Sequence, residues 1–390
     1  MSSASVQASL TQLTQTCALS IAAIRTDPAA QQLPLASLRN DFNSLLSVIY
    51  SNTTKLSIAL NPSNPAYSAT AIPLKDLIIH SSTLASNASS FLPDVHGRAL
   101  TAERHSTAID ILTALQDLAK THLSLLIESA NKDDAAISAS KTASDTYLAK
   151  TGVVHELITR AKADGLSRTN LIAVRKRWCE HSDLVCDAAS VLEIEADPPD
   201  DSDDDDDEHN EDDFDDGWGD ISDPGKQSPE QVELAKKVRA PTVPISHDST
   251  SDCGVPSTSP PPHYLQIFNV VERTSTLFKE IRNALLSPAP AQPAPNALLD
   301  DLLDSAPPLV AAVDELATQI YGTPDEPSSL DEARDSFARA LAPLSSAVKN
   351  FWKGKEDIRP AHEKGSRKYF IKQFELLNVA VEATQWTNLT

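Results

Sequence analysis

The stretch CEHSDLVC, from Cys179 to Cys186, puts two thiols, a carboxylate and an imidazole within about two helical turns. These are zinc-ligand types, and a zinc site needs them to converge tetrahedrally. On a helix Cys179 and Cys186 share a face, but His181 lies about 200° round the axis from Cys179. The set does not converge, and the two cysteines read as small core residues. A second cluster is DDLLDS, with Asp300, Asp301 and Asp304, followed by Asp314 in VDEL. Carboxylate-bridged metal centres in helical bundles also use Glu-x-x-His pairs, which this chain does not contain. These acids therefore read as a solvated helix face. The nucleotide-binding and nucleophile signatures G-x-x-x-x-G-K-[ST], G-x-G-x-x-G and G-x-S-x-G, and the zinc motif H-E-x-x-H, do not occur. The expectation is a non-enzymatic protein with no catalytic, cofactor-binding or metal-binding residues.

The third cluster is the acid block. From Glu195 to Asp220 there are 16 acids and no Lys or Arg. The chain carries a net charge of -22, and outside this block only about -6. The block lacks the spaced ligands and central glycine of an EF-hand loop. Phe214 and Trp218 lie four apart within it, so they would share a face if the segment folded as a helix on a partner. Such acidity argues against direct nucleic-acid binding, which needs clustered Lys and Arg, and permits a basic protein partner.

Helices must position the first two of these clusters. Up to Ile194 the apolar residues recur every three or four positions, the period of an amphipathic helix rather than of a strand. Leu10, Leu13, Cys17, Ile21 and Ile24 make one stripe, and Leu38, Phe42, Leu45, Ile49 and Leu56 a second. Four more follow, the last through Leu171, Val174, Trp178, Val185 and Leu192. Pro, Gly and Asn punctuate the breaks, and short loops make neighbouring helices antiparallel. From 263 the helical spacing returns. Ser305 is placed to cap a helix with Pro307 in its first turn, and Ser329 with Glu332 forms a capping box.

The expected fold class is therefore all-α. Two antiparallel helical bundles, 1–195 and 263–390, are joined by a disordered acidic and Pro/Ser-rich linker, 196–262. No run of about 18 apolar residues suggests a membrane span, and the first residues carry no basic leader. Four scattered cysteines are no disulfide framework, so cytoplasm and nucleus are the expected locations.

Within the second half, NALLDDLLDSAPPLVAAVDELATQIYG (Asn296–Gly322) resembles the signature of the cyclin-D-binding protein family, also called GCIP or Maid. The matching residues include Leu299, Asp300, Asp301, Asp304, Val313, Asp314, Leu316, Ile320 and Tyr321. TGVVHELI (Thr151–Ile158) resembles another family segment, which usually has Trp at the position of His155. The resemblance implies helical bundles similar to those of vinculin-like and talin-like proteins. It also implies a helix–loop–helix regulator that binds D-type cyclins or other regulatory proteins and restrains the cell cycle. The candidate partner-binding residues are Phe214, Trp218, Asp300, Asp301, Asp304, Asp314 and Tyr321. The alternative function is a vinculin- or talin-like structural adaptor of the cytoskeleton.

Overall fold

The computed structural model describes residues 2–26, 33–130, 137–163, 165–196, 262–287, 294–320, 327–353, 363 and 365–384. Among the described residues every regular element is a helix. The first half holds α1 (Ser3–Thr26), α2 (Leu35–Ala59), α3 (Ala71–Ser89), the single turn α4 (Pro93–His96), α5 (Arg98–Ala130), α6 (Ile137–Ala163) and α7 (Asn170–Ala196). The second holds α8 (Pro262–Ala284), α9 (Asn296–Asp304), α10 (Ala306–Thr318), α11 (Pro327–Asn350) and α12 (Arg367–Ala383). The acid block and the rest of 197–261 lie outside the described residues, and so does the expectation of a disordered linker.

Apolar periodicity builds each helix and selects the face it buries. In α1 the buried stripe is Val6, Leu10, Leu13, Cys17 and Ile24. In α2 it is Leu38, Phe42, Leu46, Ile49 and Leu56. Leu46 takes the place expected of Leu45, because steps of four and three from Phe42 reach Leu46 and Ile49 on one line. Leu45 packs at the margin of that core. Ser305 does precede α10, but its hydroxyl donates to the Leu302 carbonyl (2.6 Å) and makes no cap bond to α10. Ser366 caps α12 in the ordinary way, accepting from Tyr369 N–H at 3.1 Å.

Two apolar cores result. The first is made by α1 to α6, around Phe42, Leu77, Phe91, Leu112 and Ile158. The second is made by α7 to α12, around Trp178, Phe278, Leu309, Phe337 and Phe370, with Ala99 and Leu100 from the first turn of α5. The sixth stripe of the sequence, on α7, thus buries itself among the C-terminal helices. Trp178 explains why. It is fully buried, stacks on Phe278 with ring centroids 4.7 Å apart, and its Nε1–H donates to the Phe278 carbonyl at 3.0 Å. One turn earlier Arg175 donates to the Arg282 carbonyl (3.3 Å) and the Leu286 carbonyl (2.7 Å), satisfying the open C-terminal end of α8. Near the other end of α7, the Tyr264 hydroxyl donates to the Leu192 carbonyl. The described residues within 2–196 and 262–384 pack as one unit.

Cys17, His122 and Arg104 are three of the titratable side chains buried in this apolar frame. Cys17 is buried, and burial pushes its thiol up to about 11 against the weaker effect of a contact to Ser81 Oγ. His122 is 1% exposed, and desolvation pulls its pKa down from 6.5 to about 4. Its neutral form is therefore the folded form. In that case the stabilising effect is complete above the unfolded value of 6.5 and is lost as pH falls toward about 4, because the unfolded chain then binds the extra proton. Burial lowers His105, His155 and His181 in the same direction. Urea unfolding should thus show a loss between pH 6.5 and 4, with His122 contributing on the order of 2–3 kcal/mol. A His122→Leu variant with an unchanged pH profile would refute that assignment.

Arg104 is the third, at 1% exposure. Its guanidinium lies 5.3 Å from the Phe42 ring centroid and 5.5 Å from that of Phe91. Nη2 donates to the Ser167 carbonyl at 2.8 Å, while Nε and Nη1 are buried without partners. Desolvation lowers its pKa to about 10, opposed by the carboxylate of Glu103. The buried charge costs desolvation energy; the two rings and the one hydrogen bond return a similar amount. Arg104→Met should therefore change stability by less than about 1 kcal/mol, whereas Arg104→Ala, which empties the space between the rings, should cost about 3 kcal/mol. Equal losses in both variants, read by urea unfolding, would show that the charge rather than the volume matters.

Candidate functional site

The DDLLD acids meet the start of α5. Gly97 precedes that helix with φ +92°, a left-handed conformation that favours glycine. The first N–H groups of any helix lack intrahelical acceptors. Here side chains from two distant helices supply them. Arg98 N–H donates to Asp300 Oδ2 at 2.9 Å, and Leu100 N–H donates to Asn170 Oδ1 at 3.1 Å. Asn170 Nδ2 in turn donates to Asp300 Oδ1 at 2.9 Å, joining the two caps. A carboxylate at this position also faces the positive end of the α5 dipole.

The Arg98 side chain runs along the acidic face of α9. Its Nη1 lies 2.7 Å from Asp304 Oδ2, its Nη2 3.4 Å from Asp301 Oδ1, and its Nε 3.7 Å from Asp300 Oδ2. Asn296 adds a further tie, donating from Nδ2 to the Val95 carbonyl at 3.0 Å. The four partners thus come from α4, the α5 N-terminus, α7 and α9, and together they form a polar clamp.

The clamp sorts the residues predicted from sequence. Asp300 is 4% exposed, and both its carboxylate oxygens are engaged inside the protein. Its geometry fits a cap, not a surface for a partner. Asp301 and Asp304 keep 59% of their side chains exposed, so their charge is accessible. Asp314, on α10, is exposed and away from the clamp contacts. Phe214, Trp218 and Tyr321 lie outside the described residues. Sequence reasoning missed Gly97, Arg98 and Asn170. Their one local signal was a Gly–Arg pair after a proline turn, which says nothing about a distant acid.

The other candidate chemistry is dispersed. Cys179 and Cys186 are partly exposed rather than core residues, and Cys186 Sγ is 3.2 Å from Ser275 Oγ. Among the described residues no three His, Cys, Asp or Glu side chains gather to hold a metal ion. Among the same residues no helix is long and apolar enough to cross a membrane.

Residues 41–195 match the family model GCIP_N, described as Grap2 and cyclin-D-interacting, N-terminal. Residues 41–195 are GCIP-like. No curated protein matches it. The matched residues run from the second turn of α2 to the last turn of α7, so the GCIP-like region carries Gly97, Arg98 and Asn170. The acids of the clamp, on α9, lie beyond it. The region also contains His155, where the resemblance led one to expect Trp. Here the imidazole stacks on Tyr50, centroids 4.0 Å apart at 25°, and its Nε2 is 3.1 Å from Thr54 Oγ1. A flat ring is therefore retained at that position, pinning α6 to α2.

Proposed function

We propose that this GCIP-like chain is a non-enzymatic regulator that binds a D-type cyclin, or a related helix–loop–helix regulator, and restrains cell-cycle progression. The observation that carries the reading is the match of residues 41–195 to a cyclin-D-interacting family region. The nature of its perturbed groups supports binding rather than turnover. Cys17, Arg104 and His122 are shifted mainly by desolvation inside the apolar frame, as interior side chains are. Asp301, Asp304 and Asp314 remain at the surface, where a basic patch on the partner would meet Asp314 directly and share the first two with Arg98. Phe214 and Trp218 complete the proposed contact set as an aromatic anchor pair. Action in cytoplasm and nucleus belongs to the same reading. The adaptor alternative has no observation of its own in its favour.

The experiment is direct. The full chain and a purified D-type cyclin, mixed and followed by light scattering and calorimetry, should form a complex with Kd near or below about 1 μM. A chain that stays uncomplexed at about 100 μM of either partner would overturn the proposal.

A further inference from the structure

A cleft of about 380 Å³ opens between α2, the C-terminal end of α6 and the turn after it. Arg39, Lys162 and Arg168 line it, with Asn43, Ser44 and Ser47 between them. No Asp or Glu is among its lining residues. Lys162 Nζ donates to Ser47 Oγ at 2.9 Å, which holds the ammonium over the α2 side of the cleft. Arg39 and Arg168 make no ion pair among the described residues, in contrast to Arg98, Arg160 and Arg334, each of which has a carboxylate beside it. Three uncompensated cations on one cleft, in a chain whose net charge is -22, call for an external anion.

The geometry selects the anion. The cations approach from three elements with the Asn43 amide among them, while the Ser44 and Ser47 hydroxyls donate to the Asn40 and Asn43 carbonyls at 2.9 and 3.0 Å. A phosphoryl group offers three terminal oxygens and nearly two charges, so it can accept from several directions at once. A carboxylate offers two oxygens and one charge. No aromatic side chain lines the cleft, so it has no stacking platform for a nucleobase. The strongly negative chain is unsuited to a polyphosphate backbone. We propose that this cleft is a binding site for a phosphoryl group carried on a protein segment of a partner. It uses none of the residues assigned to the cyclin reading and stands or falls separately from it.

The test uses the full chain and two fluorescein-labelled peptides, Asp-Asp-pSer-Asp-Asp and its Ser counterpart, read by anisotropy at about 100 mM salt. The phosphopeptide should bind about tenfold more tightly than the Ser peptide. Arg39→Gln with Arg168→Gln should abolish that difference while far-UV circular dichroism stays unchanged. Should the double variant lose helix, Lys162→Gln alone should still weaken the phosphopeptide by several-fold. Arg168→Lys, which keeps the charge and loses the planar fork, should fall between wild type and Arg168→Gln. Equal affinity for the two peptides would reduce the cleft to general electrostatics and overturn the proposal. So would a phosphate preference that survives every variant, or inorganic phosphate binding as tightly as the phosphopeptide, which would mark a site for the free ion.

Discussion

Trp178→Ala is expected to lower the stability of the folded chain by about 4 kcal/mol, in the range for emptying a fully buried aromatic position. The indole has no solvent exposure and stacks against Phe278 at 4.7 Å. It also ties α7 to the α8 backbone through the bond from Nε1 to the Phe278 carbonyl. Truncation removes the ring, leaves a cavity between α7 and α8, and takes the indole donor away from the Phe278 carbonyl. Trp178→Phe separates these effects. It keeps an aromatic face against Phe278 but loses the N–H donor and part of the ring volume, so its cost should be about 2 kcal/mol. Urea unfolding followed by circular dichroism measures both. If Trp178→Ala costs less than Trp178→Phe, or neither moves the midpoint, α7 does not depend on the second core as described.

The second large effect is at the clamp. Gly97→Ala should cost about 3–4 kcal/mol, although it adds only a methyl group. A Cβ there would lie 2.0 Å from Asn170 Cγ and 2.2 Å from its Nδ2, so the amide would have to leave. With it go the cap on Leu100 N–H and the bond to Asp300, and each lost cap is worth about 1 kcal/mol. The φ of +92° adds the strain of an L-residue in a left-handed conformation, on the order of 1 kcal/mol or more. Asn170→Gly is the control, since it removes the cap without strain at 97. A combined Gly97→Ala, Asn170→Gly chain should be less destabilised than the sum of the two singles, because the clash has gone. Strict additivity in thermal unfolding would show that Asn170 and Gly97 do not meet.

These two sites show how far the sequence could be read. Helix content was legible because burial repeats with the helix period: Leu10, Leu13 and Cys17 are on the inner face of α1 as their spacing requires. The side chain a helix buries was nearly legible, and the exchange of Leu45 for Leu46 came from two adjacent leucines that only the partner helix can distinguish. Which helix packs on which was not legible. The stripe of α7 looks the same whether it faces α5 or α8, and the choice is made by Phe278 and by carbonyls at 282 and 286, about a hundred residues away. The acids on α9 could be located but not interpreted. A carboxylate in an amphipathic helix is a solvated face until a distant N–H points at it, as Arg98 N–H points at Asp300. The basic cleft left no local trace either, because Arg39, Lys162 and Arg168 are scattered in sequence and gather only through tertiary packing.

The capping of α5 by Asp300 also sets an order of events on the ribosome. The acceptor for Arg98 N–H is 202 positions further along the chain. At roughly 5–20 residues per second, synthesis from α7 to α9 takes on the order of ten seconds. Over that interval the apolar side of α7 and the first turn of α5 exist without their cover. The start of α5 and the inner face of α7 therefore reach their final packing only after α9 has emerged from the exit tunnel, whereas the core of α1 to α6 draws on residues already made.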